Sequence, residues 1–170
     1  MATEQGPDAR VTLEIAGLGI LLYSPWAAKH IAKGDHYLRT QYWEPAAILE
    51  HVRVGGLVGF NVGSPGRYFI ELRTGVPPEV VYNKADYKLK LGLRVQDRQI
   101  CFRDLYDLEV WDPVCPIDQM MEAPNGCYQL TLFSRPPSSG VLGDDQKIWI
   151  YFQPMKELPE LRYAGVPSLV

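Results

Sequence analysis

Three histidines, His30, His36 and His51, fall in one stretch with Asp35, Glu44 and Glu50, residue types that ligate metals or move protons near neutral pH. Their spacing does not organise a site. No two histidines stand at i, i+4 on one helix face, and Gly34 breaks the segment between His30 and His36. They read as polar residues on an irregular surface, which leaves a metal-dependent enzyme using His30, His36 or His51 as the least favoured alternative. Cys101, Cys115 and Cys127 are odd in number, show no CxxC spacing and have no histidine beside them in sequence. Such cysteines act as small hydrophobes and suit a reduced, cytoplasmic setting. Ser64, in Val62-Gly63-Ser64-Pro65-Gly66, misses the G-x-S-x-G elbow, and Pro65 removes the N–H that would help form an oxyanion hole. Phosphate-loop, dinucleotide and zincin motifs are absent. The sequence therefore predicts no catalytic residue, no metal and no cofactor.

The most asymmetric stretch is Asp104 to Glu122. It holds Asp104, Asp107, Glu109, Asp112, Asp118 and Glu122 with no Lys or Arg, so it is locally negative by six. Tyr106 and Trp111 lie among these carboxylates, and Met120 and Met121 add adaptable apolar contacts. Carboxylates interleaved with aromatics suit docking against a basic protein surface, the acids steering approach and the rings anchoring contact. The predicted partner-binding set is Asp104, Tyr106, Asp107, Glu109, Trp111, Asp112, Asp118 and Glu122. The plainer reading is a solvated loop whose Leu105, Leu108 and Trp111 anchor it to the core. A calcium loop is the third choice, but the acids miss the required spacing and central glycine.

These residues need elements to hold them, and the chain of 170 residues and 19.2 kDa can supply them. One domain of this size hides roughly 70% of its unfolded surface without staples. Residues 1–170 therefore read as a single domain. Tyr87, Leu89, Leu91, Leu93 and Val95 alternate with Lys88, Lys90, Gly92 and Arg94, the period of a half-buried strand. The same period recurs at Val11–Ile15, Tyr68–Leu72, Tyr128–Leu132 and Ile148–Phe152. Gln96-Asp97-Arg98 predicts a hairpin from Tyr87–Val95 to Ile100 and Phe102. Gly63–Gly66 likewise predicts antiparallel neighbours in Leu57–Val62 and Tyr68–Leu72, and Arg135–Asp145 joins the last two strands. Helical signal is confined to Pro45 through His51 and a turn from Pro25 to Ile31, both expected at an edge or end of the sheets. The fold class is mainly β, an antiparallel sandwich or open barrel with one or two short helices near the N-terminal third.

A net charge of -3 gives no electrostatic reason to bind nucleic acid. Glu4 and Asp8 precede the first Arg, unlike an export signal, and the longest apolar run, Ile15–Tyr23, is too short to span a bilayer as a helix. In Lys147–Phe152 the aromatics Trp149 and Tyr151 oppose Ile148 and Ile150, so either both faces are covered or the aromatics mark an interface. Trp26, Trp43 and the histidine-bearing region are the expected wall of a pocket if the chain is instead a β-sandwich ligand-binding or assembly module.

The second half carries a resemblance. Asp104–Trp111 (DLYDLEVW), Asn125–Pro154 (NGCYQLTLFSRPPSSGVLGDDQKIWIYFQP) and Leu158–Val170 (LPELRYAGVPSLV) resemble bacterial immunity proteins of polymorphic, contact-delivered toxin systems. Through Gly126 and Tyr128 after a polar turn they are also similar to competence protein J-type nuclease inhibitors. The likeness covers roughly residues 50–170. It implies a non-enzymatic cytoplasmic inhibitor that binds and occludes a cognate toxin, with a nuclease domain as the expected target and no membrane partner. Fold likeness alone is an associational ground for function.

Overall fold

Alternating apolar residues build most strands of the protein, whose computed structural model describes residues 8–163 and 165–170. Glu4 and most of the amino-terminal stretch read for an export signal lie outside the described residues. The strands are β1 (Ala9–Ile15), β2 (Gly19–Tyr23), β3 (Val58–Asn61), β4 (Gly66–Thr74), β5 (Tyr87–Val95), β6 (Gln99–Asp104), β7 (Met120–Glu122), β8 (Gly126–Ser134) and β9 (Gln146–Met155). They form a five-stranded sheet, β1-β4-β9-β8-β5, and a four-stranded sheet, β3-β2-β6-β7. The two pack face to face as a β-sandwich. Leu89, Leu91, Leu93 and Val95 of β5 point inward as their alternation predicts, with Ile70, Leu72, Ile148 and Ile150 beside them. Opposite stand Ile20, Leu22, Phe60 and Phe102 from the smaller sheet. Each such burial contributes about 1.5–3 kcal/mol.

A second apolar cluster covers the outer face of the smaller sheet. Leu21, Tyr23, Leu57 and Cys101 point outward there and meet Tyr37 of α1 (Tyr37–Gln41), Ile48 and Val52 of α2 (Pro45–Arg53), Leu108 and Trp111. Because β2 is buried on both faces, its sequence is wholly apolar rather than alternating. The predicted helix at Pro45 forms and the Pro25 turn is a short 3-10 segment, Pro25–Ala28. Their expected position at an edge is corrected, since the helices roof the smaller sheet. In α2, Pro45 occupies the first turn and the end is closed by Gly55 at φ 66, with Gly55 N–H donating to Val52 O and Gly56 N–H to His51 O.

Two predicted hairpins are also corrected. β5 pairs with β8 and β6 pairs with β2 and β7, so Gln96–Arg98 carries the chain from one sheet to the other. Leu93 and Val95 face Ile100 and Phe102 across a shared core, whereas a flat hairpin would place both rows on one face of one sheet. Gly63–Gly66 does the same between β3 and β4. Alternation states which face is buried and not which strand is the neighbour. The β8–β9 pair is antiparallel as expected, while β4 and β9 run parallel. On the outer face of the larger sheet, Trp149 and Tyr151 are half-buried and stack on Phe133, at 5.2 and 5.9 Å between ring centroids. Tyr82 of α3 (Glu79–Asn83), an unforeseen helix, packs edge-on against the same ring.

Candidate partner-binding surface

The acidic segment begins as a built turn. Asp104 ends β6 and caps the 3-10 turn Leu105–Glu109, its Oδ1 accepting from Tyr106 N–H at 3.0 Å. Oδ2 accepts from Ala16 N–H at 2.8 Å and Gly17 N–H at 3.2 Å, tying the β1–β2 turn to the same carboxylate. All of this suits a cap position, where a short acceptor satisfies orphan N–H groups. Asp104 is buried by these partners and acts inside the fold.

Arg103, one residue earlier, is the buried counter-charge that the acidic tally omits. Its guanidinium lies 4.3 Å from the Trp111 ring centroid, donates Nε–H to Asp107 Oδ2 at 2.9 Å and donates from Nη1 to the Asp112 carbonyl at 2.5 Å. Burial opposes its charge, but the Tyr23 hydroxyl and Asp107 outweigh that and hold its pKa above the usual value. For Asp107, burial dominates and pushes the carboxyl up despite Arg103. Trp111 is 1% exposed and edge-on to Tyr23, so it anchors the segment from within and presents no ring to a partner. Asp112 is exposed, with its side chain accepting from Val114 N–H.

The remaining acids separate. Glu109 pairs with Arg39 of α1 at 2.5 Å, Asp118 is exposed next to Gln119, whose side chain bonds Phe102 O, and Glu122 is exposed at the far end of β6, where it pairs with Gln99 in register. Gln99 and Asp104 are five residues apart along the strand, about 17 Å at 3.3 Å per residue. The acids are therefore spread along β6 and not gathered in one patch.

Around Tyr106 the surface becomes apolar. A groove of about 340 Å3 is lined by Leu18, Leu38, Trp43, Leu105, Tyr106 and Val166, with Gly19 and Asn61 at its base. It continues past Leu38, Trp43 and Tyr106 into a second hollow that reaches Arg39 and Glu109. Trp43 is 64% exposed, Leu18 58% and Tyr106 56%, a grouping of large side chains that folding leaves uncovered. The groove is positioned by the links between α1 and the capped turn: His36 Nδ1–H donates to Glu109 O, Gly34 N–H to Trp111 O and Trp111 N–H to Asp35 O. Leu105 packs against Gly19 and Gly59, where a Cβ would come under 3.0 Å from its side-chain methyls and push them aside. Sequence patterning identified Tyr106 but missed Leu18, Leu38 and Val166, which come from distant segments. Trp43 was paired with Trp26, yet Trp26 donates its indole N–H to Arg94 O elsewhere in the fold.

The histidines serve the roof. Because the Ala47 carbonyl only accepts, His51 carries its proton on Nδ1, leaving Nε2 to accept from the Tyr37 hydroxyl at 2.7 Å. Tyr37 in turn accepts from His30 Nε2–H at 2.9 Å. Among the described residues, no three His, Cys, Asp or Glu side chains converge as a metal would need. No helix in them is long and apolar enough to cross a membrane. Ser64 donates its hydroxyl to Pro65 O in a tight turn.

No family model and no curated protein matches the chain. Among solved structures the chain is similar to ComJ, inhibitor of the DNA-degrading activity of NucA, from Bacillus subtilis, with a TM-score of 0.53 and 15% identity. It shares the ComJ fold. The match covers 91% of this chain and 100% of ComJ, reaching well into the first fifty residues, which carried no sequence resemblance. The product of crocagin biosynthetic gene J matches with a TM-score of 0.53 and 14% identity, over 85% of this chain and 97% of that one. At such identities it is the fold that is shared.

Proposed function

We propose that the protein is a non-enzymatic inhibitor that binds and occludes a partner protein through the Leu18, Trp43 and Tyr106 groove. The observation that carries the reading is the exposure of those three large apolar side chains on one surface, with Glu109 and its partner Arg39 in the adjoining hollow. Interfaces draw most of their energy from a few aromatic anchors in a water-excluding rim, and the net negative charge of the Asp104–Glu122 segment would speed the approach of a basic partner. Likeness to the whole of ComJ supports an inhibitor over an enzyme and favours a nuclease as target. The occupant we propose is the basic active-site face of a cognate bacterial toxin domain, with this chain as its cytoplasmic immunity partner. Asp118 and Glu122 contribute at most to steering, and Asp104 and Trp111 act by holding Tyr106 and the turn in place.

Co-expression with the product of the adjacent gene tests the reading. That product should be toxic alone, tolerated in the presence of this chain and recovered bound to it. A neighbour that is harmless alone, or toxic but unbound, sinks the proposal.

A further inference from the structure

Beneath the capped turn lies a cavity of about 300 Å3 lined by Tyr23, Lys29, Cys101, Trp111, Cys115 and Met120. Cys101 belongs to β6, opposite Met120 of β7, and is 2% exposed. Cys115 sits on the connection between Pro113 and Pro116 and is half-buried, open to a small solute. The two thiols line this one cavity with the Tyr23 ring, and the Cys115 thiol lies 3.6 Å from Pro116 O and 3.9 Å from Gln119 O. The Trp111 indole N–H, also at this cavity, has no partner among the described residues. Cys127 stands apart on β8, opposite Arg94 of β5.

From this placement we infer that Cys115 and Cys101 are a peroxide-oxidisable thiol pair, Cys115 attacking and Cys101 resolving. Attack needs an accessible thiolate, and Cys115 is the half-buried thiol of the pair while Cys101 is closed off; the neighbouring Cys101 thiol lowers the Cys115 pKa against the effect of burial, and Arg103 adds to the lowering. The neighbouring Cys115 thiol and burial push the Cys101 thiol up. In the first step the Cys115 sulfur attacks one oxygen of a hydroperoxide, the S–O bond forms, the O–O bond breaks and the leaving oxygen departs as an alcohol or water after taking a proton. The Cys101 sulfur then attacks the sulfenic sulfur of Cys115, the S–S bond forms, and the hydroxyl leaves as water with the proton from Cys101. Two thiols lose two electrons and the hydroperoxide gains them. The disulfide would fasten the Pro113–Gln119 connection to β6, where Gln119 Nε2–H already donates to Phe102 O.

The inference does not rest on the proposed partner, and the isolated full chain tests it. After brief exposure to hydrogen peroxide, peptide mapping without reduction should find Cys101 joined to Cys115, an intact mass lower by about 2 Da, and one of the three thiols still free at Cys127. Cys101→Ser should let a sulfenic acid trappable by dimedone accumulate on Cys115. Cys127 reacting first, Cys115 passing to sulfinic acid without a crosslink, or three unreacted thiols would each overturn the inference. The map of the unsubstituted protein decides this even if the serine variant does not fold.

Discussion

Replacing Asp104 by alanine separates a residue that builds the groove from one that merely borders it. The substitution removes one cap bond, to Tyr106 N–H, worth about 1 kcal/mol, and the acceptor for Ala16 and Gly17 N–H. Both of those donors are partly reachable by water, so each costs toward the low end of the penalty for a lost partner, about 0.5–1 kcal/mol. The sum is about 2–3 kcal/mol. For a domain of this size that lowers Tm by roughly 4–12 °C. Asp104→Asn keeps one acceptor oxygen and should lose about half as much stability. Urea unfolding followed by tryptophan fluorescence reads both variants, with equal m-values required for the comparison. An alanine variant within about 0.5 kcal/mol of the parent would refute the capping account, because surface substitutions alone produce changes of that size.

Other consequences follow from buried phenols, glycines and the histidine roof. Burial raises Tyr68 and Tyr163 from 10.0 up to about 12, and raises Tyr23 and Tyr42 further. The folded state therefore keeps protons that the unfolded chain releases, so this stability is fully present below pH 10 and is lost as pH rises through about 12. Absorbance at about 295 nm should show several phenols titrating only with unfolding, in contrast to all 10 tyrosines ionising near the ordinary value in folded protein. Gly143→Ala should cost at least about 2 kcal/mol, since φ is +84° and a Cβ would lie 2.2 Å from Pro65 O. Gly140→Ala, at φ +76° with nothing within 4 Å, should cost clearly less in the same denaturation assay; equal losses would contradict the close approach. Tyr37→Phe should destabilise by about 1–2 kcal/mol, and nitrogen-15 shifts should report His51 protonated on Nδ1 before and after the change.

Much of the architecture is legible in residue order. The alternation of Tyr87–Val95 states its strand and its buried face, and Pro45 announces α2. Sheet membership is not legible, because β5 and β6 carry equally good alternation whether they pair with each other or face across a core. The acidic run is visible as composition, yet burial of Trp111 depends on Arg103 and Tyr23 meeting it from other directions. Asp104 had a readable signal in its place just before a short turn, where a cap is favoured. The groove had none, since Leu18, Trp43, Tyr106 and Val166 are separated by dozens of residues and meet only when the sheets and roof assemble.

The central claim is that Trp43 and Tyr106 anchor a protein partner, and calorimetric titration of the neighbouring gene's toxin domain against variants tests it most directly. Trp43→Ala with Tyr106→Ala should weaken binding by at least about 100-fold while leaving urea unfolding nearly unchanged, because both side chains are exposed. Asp118→Asn with Glu122→Gln should retain most of the affinity and alter chiefly its salt dependence. Unchanged affinity in the aromatic pair, or an equal loss in the acidic pair, would contradict the account.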